Sequence, residues 1–116
     1  MTDIAIVKNI CKALDDKKAI DISVIDISGI SVIADYFIVA SANNVNHLSA
    51  LQDEAGRILT QEGLKDIKIE GNRNSTWILM DCQDIIIHLF SKEDRLFYDL
   101  ERIWKDGKKL DINELI

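Results

Sequence analysis

The chain has 116 residues, 47% hydrophobic and 29% charged, with five glycines and no proline. That length and balance fit one compact domain with its own core and exclude a long disordered linker. The net charge of −6 lies in the middle, where residues 19 to 91 hold ten acids against four bases; such a field disfavours docking on a phosphate backbone and favours a basic protein surface.

In chain order, Thr2 is a plausible N-cap, with Asp3 near the positive end of the helix dipole. Ile4, Val7, Cys11 and Leu14 then recur at helical spacing, widened by Ile6, Ile10 and Ala13, and Lys17 and Lys18 suit the C-terminal end. Ile20, Ile22 and Val24 alternate with Asp21 and Ser23, which predicts a strand to about Ile27. Ser28-Gly29 breaks it, and Ile30 to Ala34 reads as a short turn. Asp35 to Ser41 is dense in aromatic and β-branched residues, and its near-continuous apolar run predicts a central strand buried on both faces.

Asn43 or Asn44 can cap a second helix whose buried stripe is Leu48, Leu51, Ala55, Ile58 and Leu59, with Gly63 placed to end it in the left-handed conformation. Ile67 and Ile69 flank Lys68 in a short strand, and Glu70 to Ser75 reads as a loop. Trp77–Asp81 and Ile85–Phe90 form the last two strands, joined by a turn at Cys82-Gln83 or a longer one from Asp81 to Asp84. Ser91 with Asp94 resembles a capping box, followed by a helix with Phe97, Leu100 and Trp104 on one face. The order is α-β-β-α-β-β-β-α. It predicts an α/β (α+β) fold with a mixed five-stranded sheet and flanking helices in one domain over residues 1–105, with 106–116 as a C-terminal tail.

Cys11 and Cys82 have no metal-type spacing and read as free thiols of a reducing compartment. The N-terminus has no basic segment leading into an apolar one, and no apolar run reaches the ~20 residues of a membrane span. A cytoplasmic protein without membrane attachment is expected.

Asp81 and Asp84 could hold a divalent metal if the turn brought their carboxylates together, but aspartates at turns ordinarily bond nearby backbone amides, and the same holds for Asp26 and Asp35. His88 is flanked by apolar residues with no nucleophile in the pattern, so it reads as structural. Nucleophile elbow, Walker loop and dinucleotide fingerprint are all missing. The expectation is a protein with no catalytic residues, metal or cofactor. Trp104 reads as a core aromatic. Trp77 follows a polar loop and opens an edge-like hairpin, the position of an interface anchor whose removal would leave the fold intact.

Four separated motifs then occur in order: Ala34-Asp35-Tyr36-Phe37-Ile38-Val39-Ala40-Ser41; Glu70-Gly71; Trp77-Ile78-Leu79-Met80-Asp81 with Asp84 and His88; and Arg95-x-Phe97-Tyr98-x-Leu100-Glu101-x-x-Trp104. Together they resemble the ribosomal silencing factor family, also called RsfS or Iojap, over about residues 3 to 105. The resemblance implies a non-enzymatic translation regulator. It would bind the large ribosomal subunit through that subunit's ribosomal protein fourteen and block joining of the small subunit when nutrients are scarce. It also implies a nucleotidyltransferase-like fold, a homodimer in isolation, and a contact surface made of Trp77 with Asp81, Cys82 and Asp84. Two departures stand out. Asp81-Cys82-Gln83-Asp84 lacks the glycine that family members often carry in this turn, and Ser41-Ala42-Asn43-Asn44 lacks the glycine usual after the serine. The rival from another class is a metal-dependent nucleotidyltransferase using Asp81 and Asp84, although the Gly-Ser signature followed by an Asp-x-Asp pair is missing.

Overall fold

The computed structural model describes residues 4–29, 34–64, 66–71, 76–82, 84–92, 107–110 and 112–115. The elements are α1 (Ile4–Asp16), β1 (Ile20–Asp26), β2 (Tyr36–Ala42), α2 (Val45–Gln61), β3 (Lys68–Glu70), β4 (Trp77–Asp81), β5 (Ile85–Ser91), β6 (Lys108–Leu110) and a one-turn α3 (Ile112–Leu115). The expected helix of Phe97, Leu100 and Trp104, with Asp94 of its capping box, lies outside the described residues, as do Thr2 and Gln83.

The strands form one sheet in the order β3-β4-β5-β2-β1-β6. β2 and β5 run parallel at its centre, and the other neighbours are antiparallel. The expected mixed sheet is therefore present, with six strands among the described residues instead of five. The additional strand, β6, comes from the segment expected as a tail and pairs Lys108, Lys109 and Leu110 with Asp26, Ile25 and Val24. Lys-Lys-Leu has no strand pattern of its own. Its conformation is set by the open edge of β1, and lysines are a common edge-strand device against further pairing.

α1 and α2 pack side by side and cover one face of the sheet. α2 buries the expected Leu48, Leu51, Ala55, Ile58 and Leu59, and α1 buries Val7, Ile10, Cys11, Ala13 and Leu14. They meet Val24, Ile38, Ala40, Ile78, Met80, Ile85, Ile87 and Leu89 from the sheet. Each fully buried large aliphatic contributes roughly 1.5–3 kcal/mol. The opposite face carries a second apolar cluster of Ile25, Ile27, Phe37, Val39 and Phe90, with Ala34 at its margin. Burial on both faces is what the continuous apolar run of β2 predicts.

The helix ends follow their local chemistry. Asn44, in extended conformation, caps α2 by accepting a hydrogen bond from His47 N at 2.7 Å, so the Ala42-Asn43-Asn44 run completes the turn without glycine. His47 Nδ1 accepts from Asn43 N at 3.0 Å, and its Nε2 lies 2.8 Å from the Lys17 carbonyl, tying the start of α2 to the end of α1. Asp26 Oδ1 accepts from Ser28 N and Oγ, the turn chemistry expected of it. Gly63 ends α2 with φ 83°, and Leu64 N reaches back to Leu59 O. α1 ends the same way, with Ala19 N bonded to Leu14 O and Lys18 N to Asp15 O, but Lys18 holds the left-handed position at φ 63°.

A side chain at that position carries a steric cost that glycine avoids. Lys18→Gly should raise the unfolding free energy by about 1 kcal/mol in urea denaturation. An unchanged or lower value would contradict the left-handed ending of α1.

Candidate docking surface

β4 and β5 form a hairpin in which Trp77 lies opposite Phe90, Leu79 opposite His88 and Asp81 opposite Ile86. Cys82 N donates to Ile85 O at 2.9 Å, so pairing continues through Cys82 and the chain reverses one residue later than a Cys82-Gln83 turn would place it. The Asp84 carbonyl accepts from Asp35 N at 2.8 Å and Tyr36 N at 3.1 Å, which pins the turn to the start of β2.

Strand alternation sorts the hairpin's side chains. Ile78, Met80 and Cys82 fall on the helix-covered face, and all three are buried. Trp77, Leu79 and Asp81 fall on the other face, with Ile86, His88 and Phe90 of β5. Trp77 and Asp81 of the expected contact set therefore share a face, and half-buried Asp84 sits at the hairpin tip. Cys82 departs from that set. It is only 4% exposed, lies in the core, points its Sγ toward the Met80 carbonyl, and has its thiol pushed up to about 12 by burial and the neighbouring Asp81. Its side chain is packing, not surface.

Trp77 is 36% exposed, one of four exposed large hydrophobics among the described residues. The rest of the indole is built into the sheet. Its Nε1–H donates to His88 Nδ1 at 3.0 Å, which sets the two rings edge to edge with centroids 5.8 Å apart, and its ring stacks on Phe90 with centroids 5.4 Å apart. Phe37 of β2 stacks on the far side of His88 at 4.4 Å. Trp77→Ala thus removes internal packing and leaves a buried imidazole without its donor, more than the surface contact alone.

His88 is 6% exposed, and burial depresses its pKa to about 4, so the ring is neutral at pH 7. With Nδ1 accepting from the indole, the neutral ring carries its proton on Nε2. A neutral, hydrogen-bonded histidine among rings fits the structural role expected of it. The Trp77–His88 partnership is not visible from spacing along the chain. It arises from hairpin register, which sets the two residues diagonally across neighbouring strands.

The approach to Trp77 is shaped by Gly71. It has φ 107°, and a Cβ there would lie 2.7 Å from the Trp77 carbonyl oxygen and 3.3 Å from Ile78 Cα. Only glycine lets the backbone at position 71 pass the start of β4 this closely. Glu70 and Lys68, opposite Leu79 and Asp81, complete the charged margin. Among the described residues, no group of three or more His, Cys, Asp or Glu side chains is placed to hold a metal ion, and no helix is long and apolar enough to cross a membrane.

A family model described as "Ribosomal silencing factor during starvation" matches residues 1–116. The ribosomal silencing factor RsfS of Zymomonas mobilis is 42% identical over 107 residues, covering 91% of this chain and 80% of that protein. The one from Bacillus subtilis is 34% identical over 113 residues, covering 97% of this chain and 96% of its own. A crystal structure of a protein from Chromobacterium violaceum superposes with a TM-score of 0.83 at 31% identity, covering 96% of this chain and 92% of the other.

The depressed pKa of His88 has a signed consequence. Between about pH 4 and the ordinary value of 6.5, the unfolded chain binds a proton that the folded chain refuses. The stability from neutral His88 is complete above pH 6.5 and is lost as pH falls through about 4, a total of roughly 3 kcal/mol. Urea unfolding at pH 7 and pH 4.5 should show a loss about 2 kcal/mol smaller in His88→Gln than in the wild type. Equal losses would place His88 in contact with water.

Proposed function

Because the chain belongs to the ribosomal silencing factor family, we propose that it represses translation by docking on the large ribosomal subunit through ribosomal protein fourteen. There it occupies the surface where the small subunit would join, chiefly when nutrients are limiting. It acts in the cytoplasm and is a homodimer when free. Blocking a joining surface requires only steric occupancy, so the mechanism calls for no catalytic residue, metal or cofactor.

The observation that carries the reading is Trp77, an aromatic side chain held rigidly at the start of β4 yet 36% exposed. Trp is enriched among the residues that dominate binding energy, and a rigid one loses little freedom on docking. Asp81 on the same face and Asp84 at the tip place acids around it, within a chain of net charge −6. Acids in that position favour encounter with a basic ribosomal protein and repel exposed RNA phosphates.

The test is sedimentation of the protein with isolated large subunits. It should pellet with them at low salt, progressively less as salt rises, and should reduce the yield of joined ribosomes when small subunits are added. Asp84→Lys should weaken co-sedimentation by about threefold to tenfold, as charge reversal at a contact rim does. Protein that remains in the supernatant with large subunits at low salt would overturn the proposal.

A further inference from the structure

We propose that His88 is a positioning residue of the docking surface: by accepting the Trp77 N–H, it fixes the indole in one orientation and leaves the partner to meet the ring's carbon surface instead of its donor. The inference rests on the docking role of Trp77 given above and specifies the chemistry that role demands. Four features of the site support it.

The first is the hydrogen bond itself, 3.0 Å from Trp77 Nε1 to His88 Nδ1. The second is the rigidity of the acceptor. His88 is 6% exposed, stacks on Phe37 at 4.4 Å, and lies nearly parallel to Phe90 at 6°. A buried imidazole packed against two phenyl rings on the central strands has little freedom to turn, so its Nδ1 is a fixed point for the indole. The third is the backbone at Trp77, where the side-chain-free Gly71 passes close to the Trp77 carbonyl oxygen. The fourth is the indole's own stack on Phe90 at 5.4 Å and 19°. Backbone, ring face and N–H are thus each fixed by a different neighbour, while about a third of the residue stays open to solvent.

This arrangement restricts what can bind. An indole is a donor only through its N–H, and that donor is already engaged. A partner gains from this surface by covering apolar ring carbon or by placing an Arg or Lys over the ring face. The net charge of −6 favours the cationic choice. The matching segment is therefore a basic side chain or a basic-flanked apolar one, and not a carbonyl or phosphate oxygen seeking a donor.

The experiment compares three forms of the full chain. His88→Phe keeps the ring stack but removes the acceptor; His88→Asn restores an acceptor oxygen close to the Nδ1 position. The third form carries 3-benzothienylalanine at position 77, which replaces the N–H by sulfur without changing the ring outline. In the free protein, the wild-type indole N–H should exchange slowly in proton–nitrogen NMR, and His88→Phe should speed that exchange at least tenfold. Binding to isolated large subunits should weaken about threefold to tenfold in His88→Phe and in the benzothienyl form, the range expected when an anchoring side chain must be reordered on docking. His88→Asn should recover part of the loss. Wild-type affinity in both the His88→Phe and benzothienyl forms would overturn the positioning role while leaving the docking role of Trp77 standing. Should His88→Phe not fold, the benzothienyl form decides alone, because it leaves His88 in place. Absence of binding by the wild type would overturn the docking role and this inference together, and the exchange rates would still report whether the indole is locked.

Discussion

The parallel pairing of β2 with β5 is the constraint on which the rest of the structure depends. Seven consecutive residue pairs join the two strands, from Tyr36–Ile85 to Ala42–Ser91. Parallel neighbours require a crossover, and here it contains α2 together with β3 and β4. The crossover places α2 over one face of the pair, where it packs on Ile38, Ala40, Ile87 and Leu89. It also brings β4 in beside β5 as the hairpin that carries Trp77. The two amides of Asp35 and Tyr36 that converge on the Asp84 carbonyl close the corner between hairpin tip and β2. Tip, edge and core are thus held to one frame.

β5 serves two surfaces because its alternate residues face opposite ways. Ile85, Ile87 and Leu89 meet the helices, whereas Ile86, His88 and Phe90 support the side that carries Trp77. A substitution on one face is consequently felt on the other only through the backbone. The aromatic side is the more polar of the two, since it encloses an imidazole. Removing that imidazole's partner would leave a buried nitrogen unpaired, a loss larger than the net value of the bond. Neutral His88 and engaged Trp77 therefore stabilise one another. Both residues of the pair occur in the family-like motif read from the sequence, but their mutual contact does not.

Much of the fold is legible in the residue pattern. The apolar stripe of α2 and the positions of Asn44 and Gly63 predict that helix and its two ends, because capping chemistry is local. The unbroken apolar run of β2 predicts its central place. β6 is not legible, because Lys108, Lys109 and Leu110 are strand only by pairing with β1. Trp77 and Asp81 can be placed on one face by alternation alone. The same alternation, continued one residue through the turn, sets Cys82 beside Met80 in the core; reading it instead as part of an open turn puts it on the surface. The Trp77–His88 bond and the close passage of Gly71 depend on register and loop path, which no local pattern encodes.

The most direct measurement of the docking edge is photo-crosslinking in a cell extract from a benzophenone side chain at position 84, at the tip of the Trp77 hairpin, with a second probe at position 109 on the opposite edge. The expected result is a crosslink from position 84 to a single basic protein of the large ribosomal subunit, identified by mass spectrometry, with little from position 109. Crosslinks from position 84 only to RNA or to the small subunit, or a large-subunit protein captured from position 109 alone, would contradict docking through this edge.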